Sequence, residues 1–139
     1  MKLSIFSLIL IGAALATVNA IVTRRVQNEI TRLKKDPLPG ISVGHNQYEL
    51  NKIEATLWPT GGKLENAIEV VLLTSVGYPL SAPEVQVITE INQPEVDKCL
   101  DLIRDSWMPA IQIRHVLLSI QTVLNEPNAD INKACNYQV

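Results

Sequence analysis

The chain has 139 residues and a formal net charge of −2, the size of one small domain behind a short leader. Its 12 Lys+Arg against 14 Asp+Glu exclude a strongly basic surface, and with it a nucleic-acid or anionic-membrane partner. Two cysteines are too few for a disulfide scaffold but enough for one bridge in an oxidising compartment.

Residues 1–20, MKLSIFSLILIGAALATVNA, have the pattern of a signal peptide: Lys2, an apolar run from Leu3 to Val18, and small Val18 and Ala20 at the −3 and −1 positions. Cleavage after Ala20 would leave a secreted domain of residues 21–139. The apolar run is short for a membrane span, and nothing after it is apolar for long enough to cross a bilayer. No N-x-S/T acceptor occurs, so glycosylation adds no support for secretion.

Ile21 to Lys35 reads as a helix, with Val22, Val26, Ile30 and Leu33 on one face and basic residues largely on the other. Asp36-Pro37-Leu38-Pro39-Gly40 stops it. Four strand-like segments follow, around Ile41–Val43, Tyr48–Leu57, Ala67–Thr74 and Glu84–Ile91, separated by turn chemistry at Gly44-His45-Asn46, Pro59–Gly62 and Gly77-Tyr78-Pro79. Connections this short predict an antiparallel meander. A long irregular stretch carrying Cys99 leads to a second helix over Pro109–Leu124 with a broad apolar stripe. The fold class is therefore α+β.

Most familiar chemistries find no support. His45 falls in a turn and His115 in a helix, neither with a second ligand at i+3 or i+4, so a metal site is not expected. Nothing ties either histidine to Cys99 as an orienting base. Gly61-Gly62 lies between strands rather than before a helix, and Lys34-Lys35 reads as a solvated helix end.

The surroundings of Cys99 are more specific. The segment CLDLIRDSWMPAIQIRHVLLSIQTVLNEPNAD resembles ubiquitin-conjugating enzymes, in particular the subgroup that builds ubiquitin chains with an inactive variant partner. YPLSAPEVQVITEI and TRRVQNEITRLKKDPLPGISV extend the resemblance over almost all of residues 21–139. It implies the family's fold: an N-terminal helix, a four-stranded meander, a long active-site segment and a following helix, with the later helices truncated.

The resemblance implies that Cys99 accepts ubiquitin as a thioester and passes it to a lysine or a ligase. Cysteine suits the task, being nucleophilic near neutral pH and a good leaving group. No cofactor is implied, since ATP is used by the separate ubiquitin-activating enzyme. The implied partners are ubiquitin, that enzyme, and a ligase or inactive variant. Their contacts would be Arg24 and Arg25 on the first helix, Leu80, and Met108-Pro109-Ala110.

The chain also departs from the family. Gln93-Pro94-Glu95 stands where the family has His-Pro-Asn, and an ionised Glu95 donates no hydrogen bond to an oxyanion. Loss of one such donor costs about 2.7–4 kcal/mol in the transition state. The loop from Pro94 to Cys99 is shortened, and Asp130 matches the family's lysine-guiding acid without the residues that normally follow it. Two readings result: a conjugating enzyme with impaired transfer, or a secreted, non-catalytic module that engages ubiquitin-pathway partners. The resemblance further implies that Asp130–Cys135 borders Cys99. The two thiols would then either remain free or form a bridge closing a loop of roughly thirty-five residues, worth about 3–4 kcal/mol.

Overall fold

The computed structural model describes residues 24–46, 48–60 and 66–138. The expected leader and its cleavage site lie outside them. The first helix, α1, spans residues 24–35 and buries Val26, Ile30 and Leu33, the i, i+4, i+7 face expected of it. Gly40 ends the following turn at φ +73°, where only glycine is unstrained; a Cβ there would also meet Trp58 O at 3.3 Å.

Four strands form one antiparallel sheet in sequential order: β1 (Ile41–His45), β2 (Lys52–Leu57), β3 (Ile68–Leu73) and β4 (Glu84–Val87). Ile53 faces Leu72 and Ala55 faces Val70 across the β2–β3 ladder, so period-2 alternation turns Ile53, Ala55, Leu57, Ile68, Val70 and Leu72 inward. Three helices complete the chain: α2 (Pro94–Asp105), α3 (Ile113–Asn125) and α4 (Ile131–Cys135). Sheet, α1, α2, α3 and the end of α4 share one hydrophobic core. Among the described residues no helix is long and apolar enough to cross a membrane.

The α+β meander agrees with the sequence, but several boundaries move: β1 runs on through Gly44 and His45, which were expected in a turn, and β2 begins at Lys52 rather than Tyr48. The last strand ends at Val87 rather than Ile91, because the Glu69 N–H that would extend the ladder donates to Thr89 Oγ1 at 2.8 Å. The stretch expected to be irregular is instead the twelve-residue helix α2. The final expected helix begins at Ile113 rather than Pro109, and the short α4 was not anticipated.

The late start of α3 has its cause eighty-four residues upstream. Glu29, only 2% exposed, accepts the Ile113 N–H at 2.8 Å on Oε1. Its Oε2 takes Arg25 Nε at 3.1 Å and the Tyr78 hydroxyl. The Arg25 guanidinium then occupies the Pro109 and Ile111 carbonyls at 3.0 and 3.4 Å, so no earlier helical turn closes. Burial, then the hydrogen bond to Glu29, pushes the Tyr78 phenol well above its ordinary pKa and keeps it a donor.

Removing this carboxylate leaves buried donors and a partly buried charge without their partner. Glu29→Ala should lower unfolding stability by about 3 kcal/mol or more, and Glu29→Gln by less, since the amide keeps an acceptor for Ile113. Urea unfolding midpoints would measure both; equal losses would show that the retained amide acceptor does nothing and that the carboxylate's charge carries the whole effect.

Candidate functional site

The candidate site is built on α2. Pro94 occupies the first helical position, where its missing N–H costs nothing. Glu95 and Asp97 sit in the first turn and Arg104 in the last, complementing the helix dipole. Ser106 closes the helix by giving both its N–H and its hydroxyl to Leu102 O, at 2.9 and 2.5 Å. The inward residues are Val96, Cys99 and Ile103, at i, i+3 and i+7.

Cys99 is 0% exposed and bonded to Cys135, itself 0% exposed, with the Cα atoms 5.3 Å apart and the sulfurs at 2.07 Å. The bridge ties the middle of α2 to the end of α4 across a sequence separation of 36 that contains all of α3. Hydrogen bonds hold the same segment. Ser119 Oγ donates to Ala134 O at 2.8 Å and pairs with the Tyr137 hydroxyl at 2.8 Å; the Tyr137 N–H donates to Ser106 Oγ at 3.0 Å. Burial raises the Tyr137 phenol's pKa, an effect that the Ser119 bond partly offsets.

A disulfide sulfur carries no thiolate, and ubiquitin transfer needs one. In this arrangement Cys99 has neither the charge nor the access to attack a thioester. Glu95 is half-buried at the second position of α2, with no side-chain hydrogen bond among the described residues. Asp130 caps α4, its carboxylate facing the Lys133 N–H at 3.4 Å, so the bridge brings it within one short helix of Cys99.

The other expected contact residues gather on two adjoining loops. Leu80 is 79% and Met108 39% exposed, and Pro109 and Ala110 are exposed beside them. Trp107 Nε1 donates to Pro79 O at 2.7 Å, clamping one loop to the other. Arg24 is exposed on α1, whereas Arg25 is engaged internally with Glu29, Pro109 and Ile111. Glu29 escaped the sequence reading; its one signal was the i, i+4 spacing from Arg25 on a helix face otherwise apolar. The histidines have local tasks: His45 Nε2 donates to Leu50 O at 2.8 Å, and His115 Nδ1 accepts the Gln112 N–H at 2.9 Å at the start of α3.

Comparison with known proteins agrees with this architecture. The family profile described as ubiquitin-conjugating enzyme matches residues 25–138. Ubiquitin-conjugating enzyme E2 N of Drosophila melanogaster is 37% identical over 113 residues, covering 77% of this chain and 75% of that protein. Ubiquitin-conjugating enzyme E2 13 of Saccharomyces cerevisiae is 37% identical over 115 residues, covering 78% and 75%. The structure of human ubiquitin-conjugating enzyme E2 G1 superposes with a TM-score of 0.66 at 26% identity, covering 73% of this chain and 93% of that one. The chain belongs to the ubiquitin-conjugating enzyme family. Within it, the E2 N and E2 13 relatives mark the subgroup that the Cys99 segment and its flanks resemble.

The bridge has a measurable weight. Cys99→Ala together with Cys135→Ala should destabilise the protein by about 4 kcal/mol on loop-entropy grounds, since the two cysteines are 36 positions apart in sequence. Denaturant unfolding without reductant would read the difference; an unchanged midpoint would mean that the hydrogen bonds of Ser106 and Ser119 hold the segment unaided.

Proposed function

We propose that this protein, in its bridged form, is a secreted binding module of the ubiquitin-conjugating enzyme fold that engages ubiquitin-pathway partners without carrying ubiquitin. One observation carries the reading: Cys99, where the resemblance places the family's nucleophile, is fully buried in a helix and bonded to Cys135. The engaging surface is Arg24, Leu80 and Met108-Pro109-Ala110, an apolar pair on clamped loops beside a basic helix, with Arg25 holding the 109–111 carbonyls from behind rather than reaching a partner. The partners are those of the family: an activating enzyme, a ligase or an inactive variant, with ubiquitin itself not covalently held.

The test uses unreduced protein from an oxidising compartment, mixed with ubiquitin-activating enzyme, ubiquitin and ATP. It should form no reductant-sensitive adduct, yet slow the loading of an active conjugating enzyme by competing for the activating enzyme. Leu80→Glu should relieve that competition. A thioester on the unreduced protein, absent in Cys99→Ser, would overturn the reading.

A second reading rests on the intact Cys-Leu-Asp context of Cys99 and on the small size of its cover. The bridge partner belongs to a five-residue helix, so reduction by a thiol would remove the one covalent tie over the sulfur. The reduced chain would then be a slow carrier, with Glu95 in place of an oxyanion donor. A reduced sample that loads ubiquitin on Cys99 supports this reading, and Glu95→Asn should then speed discharge to lysine. Secretion is tested separately: mass spectrometry of protein from culture medium should find Ile21 at the N-terminus, and a cytosolic product that retains Met1 would refute it.

A further inference from the structure

The sheet order leaves one side of β4 without a partner strand. The register shows which backbone groups face that side. Glu84 and Gln86 stand opposite Leu73 and Val71, and the Ile88 N–H donates to Glu69 O at 2.8 Å, so positions 84, 86 and 88 turn toward β3. Val85 and Val87 therefore point their N–H and C=O groups to the free edge, and among the described residues no hydrogen bond reaches them. An edge of this kind is a template for another extended chain.

Helix α2 forms the other wall. A groove of about 490 Å³ lies between Glu84 and Val85 on one side and Asp97, Leu100 and Asp101 on the other. A smaller hollow of about 200 Å³ continues it past Val87 and Val96, with Asp97 shared by both. Moving along β4 from Glu84 to Val87 thus corresponds to moving back along α2 from Asp101 toward Val96, and the trough runs lengthwise beside the strand. Its rim is acidic. The one cation there, Arg104, is taken up by Asp101 at 3.2 Å and Asp105 at 3.4 Å.

We propose that the free edge of β4 and the acidic side of α2 form a docking trough for an extended, basic peptide segment, which joins the sheet as a fifth strand. Its backbone would pair with Val85 and Val87, leaving one set of alternate side chains directed at α2. Two residues along a strand span about 6.8 Å, close to the one helical turn that separates Asp97 from Asp101. Lys or Arg at alternate positions therefore meets both carboxylates, with Leu100 and Val85 as the apolar floor. A second copy of this chain is a poor occupant, because edge-to-edge pairing would bring two acidic rims together.

The experiment titrates isotope-labelled protein with a blocked peptide of alternating Lys and Val, about eight residues long, and follows backbone amide resonances. Shifts should concentrate at Val85, Val87, Asp97 and Leu100 and should weaken as salt is raised. Asp97→Lys with Asp101→Lys should reduce affinity about tenfold or more, thermal unfolding confirming that the variant is folded. Methylating alternate peptide nitrogens should abolish binding, and Val85→Pro, which removes an outward N–H and no ladder bond, should weaken it. Equal binding of the matching Glu–Val peptide, shifts confined elsewhere, or no shifts at millimolar peptide would overturn the proposal. Dimerisation of the protein through this edge would overturn it equally.

Discussion

A helix that buries Val96, Cys99 and Ile103 must turn Asp97, Asp101 and Arg104 outward, because 3.6 residues per turn leave it no other choice. That single rotation sets what the cysteine can do. Facing inward, its sulfur meets Cys135 and is withdrawn from solvent. Facing outward, the same helix gives the β4 edge an acidic wall. Both consequences follow from one helix face, and they place Cys99 among core residues.

A second network, built on Glu29, ties together elements outside α2. Glu29 joins α1, the Tyr78 loop and the first amide of α3, and the Arg25 side chain fixes the 109–111 carbonyls. The same contacts hold Leu80 and Met108 at the surface, on loops clamped by Trp107. Buried carboxylates are costly unless their lone pairs are filled, and Glu29 fills them from three separate elements. The exposed ion pairs of Arg104 contribute little by comparison, because solvent screens them.

The meander was legible because alternating apolar residues and Pro/Gly turns reflect purely local rules. What the sequence did not reveal depends on distant partners. Nothing near Pro109 signals that Arg25 and Glu29 will hold its helix off until Ile113, and nothing near Ile91 signals that Thr89 will take the last ladder bond. For α2 the signals were present: a proline able to start a helix, two acids in the first turn, and apolar residues at 96, 99 and 103. They were passed over because acidic residues bracketed by prolines also mark a turn. The proximity of Cys99 to Cys135 was one of two alternatives until Cα positions fixed it at 5.3 Å.

The ring closed between Cys99 and Cys135 has a mechanical consequence as well as a chemical one. Tension applied between α1 and the C-terminal segment would pass from α2 to α4 through the two sulfur atoms and bypass α3. The ring withholds about 120 Å of extended chain from any pulling force. The helix with the most deeply buried residues, including Ile113, Val116 and Leu117 at 0% exposure, is therefore also the one that carries no load. A translocation motor entering through α1 would unravel the sheet before the ring and meet α3 as a closed loop.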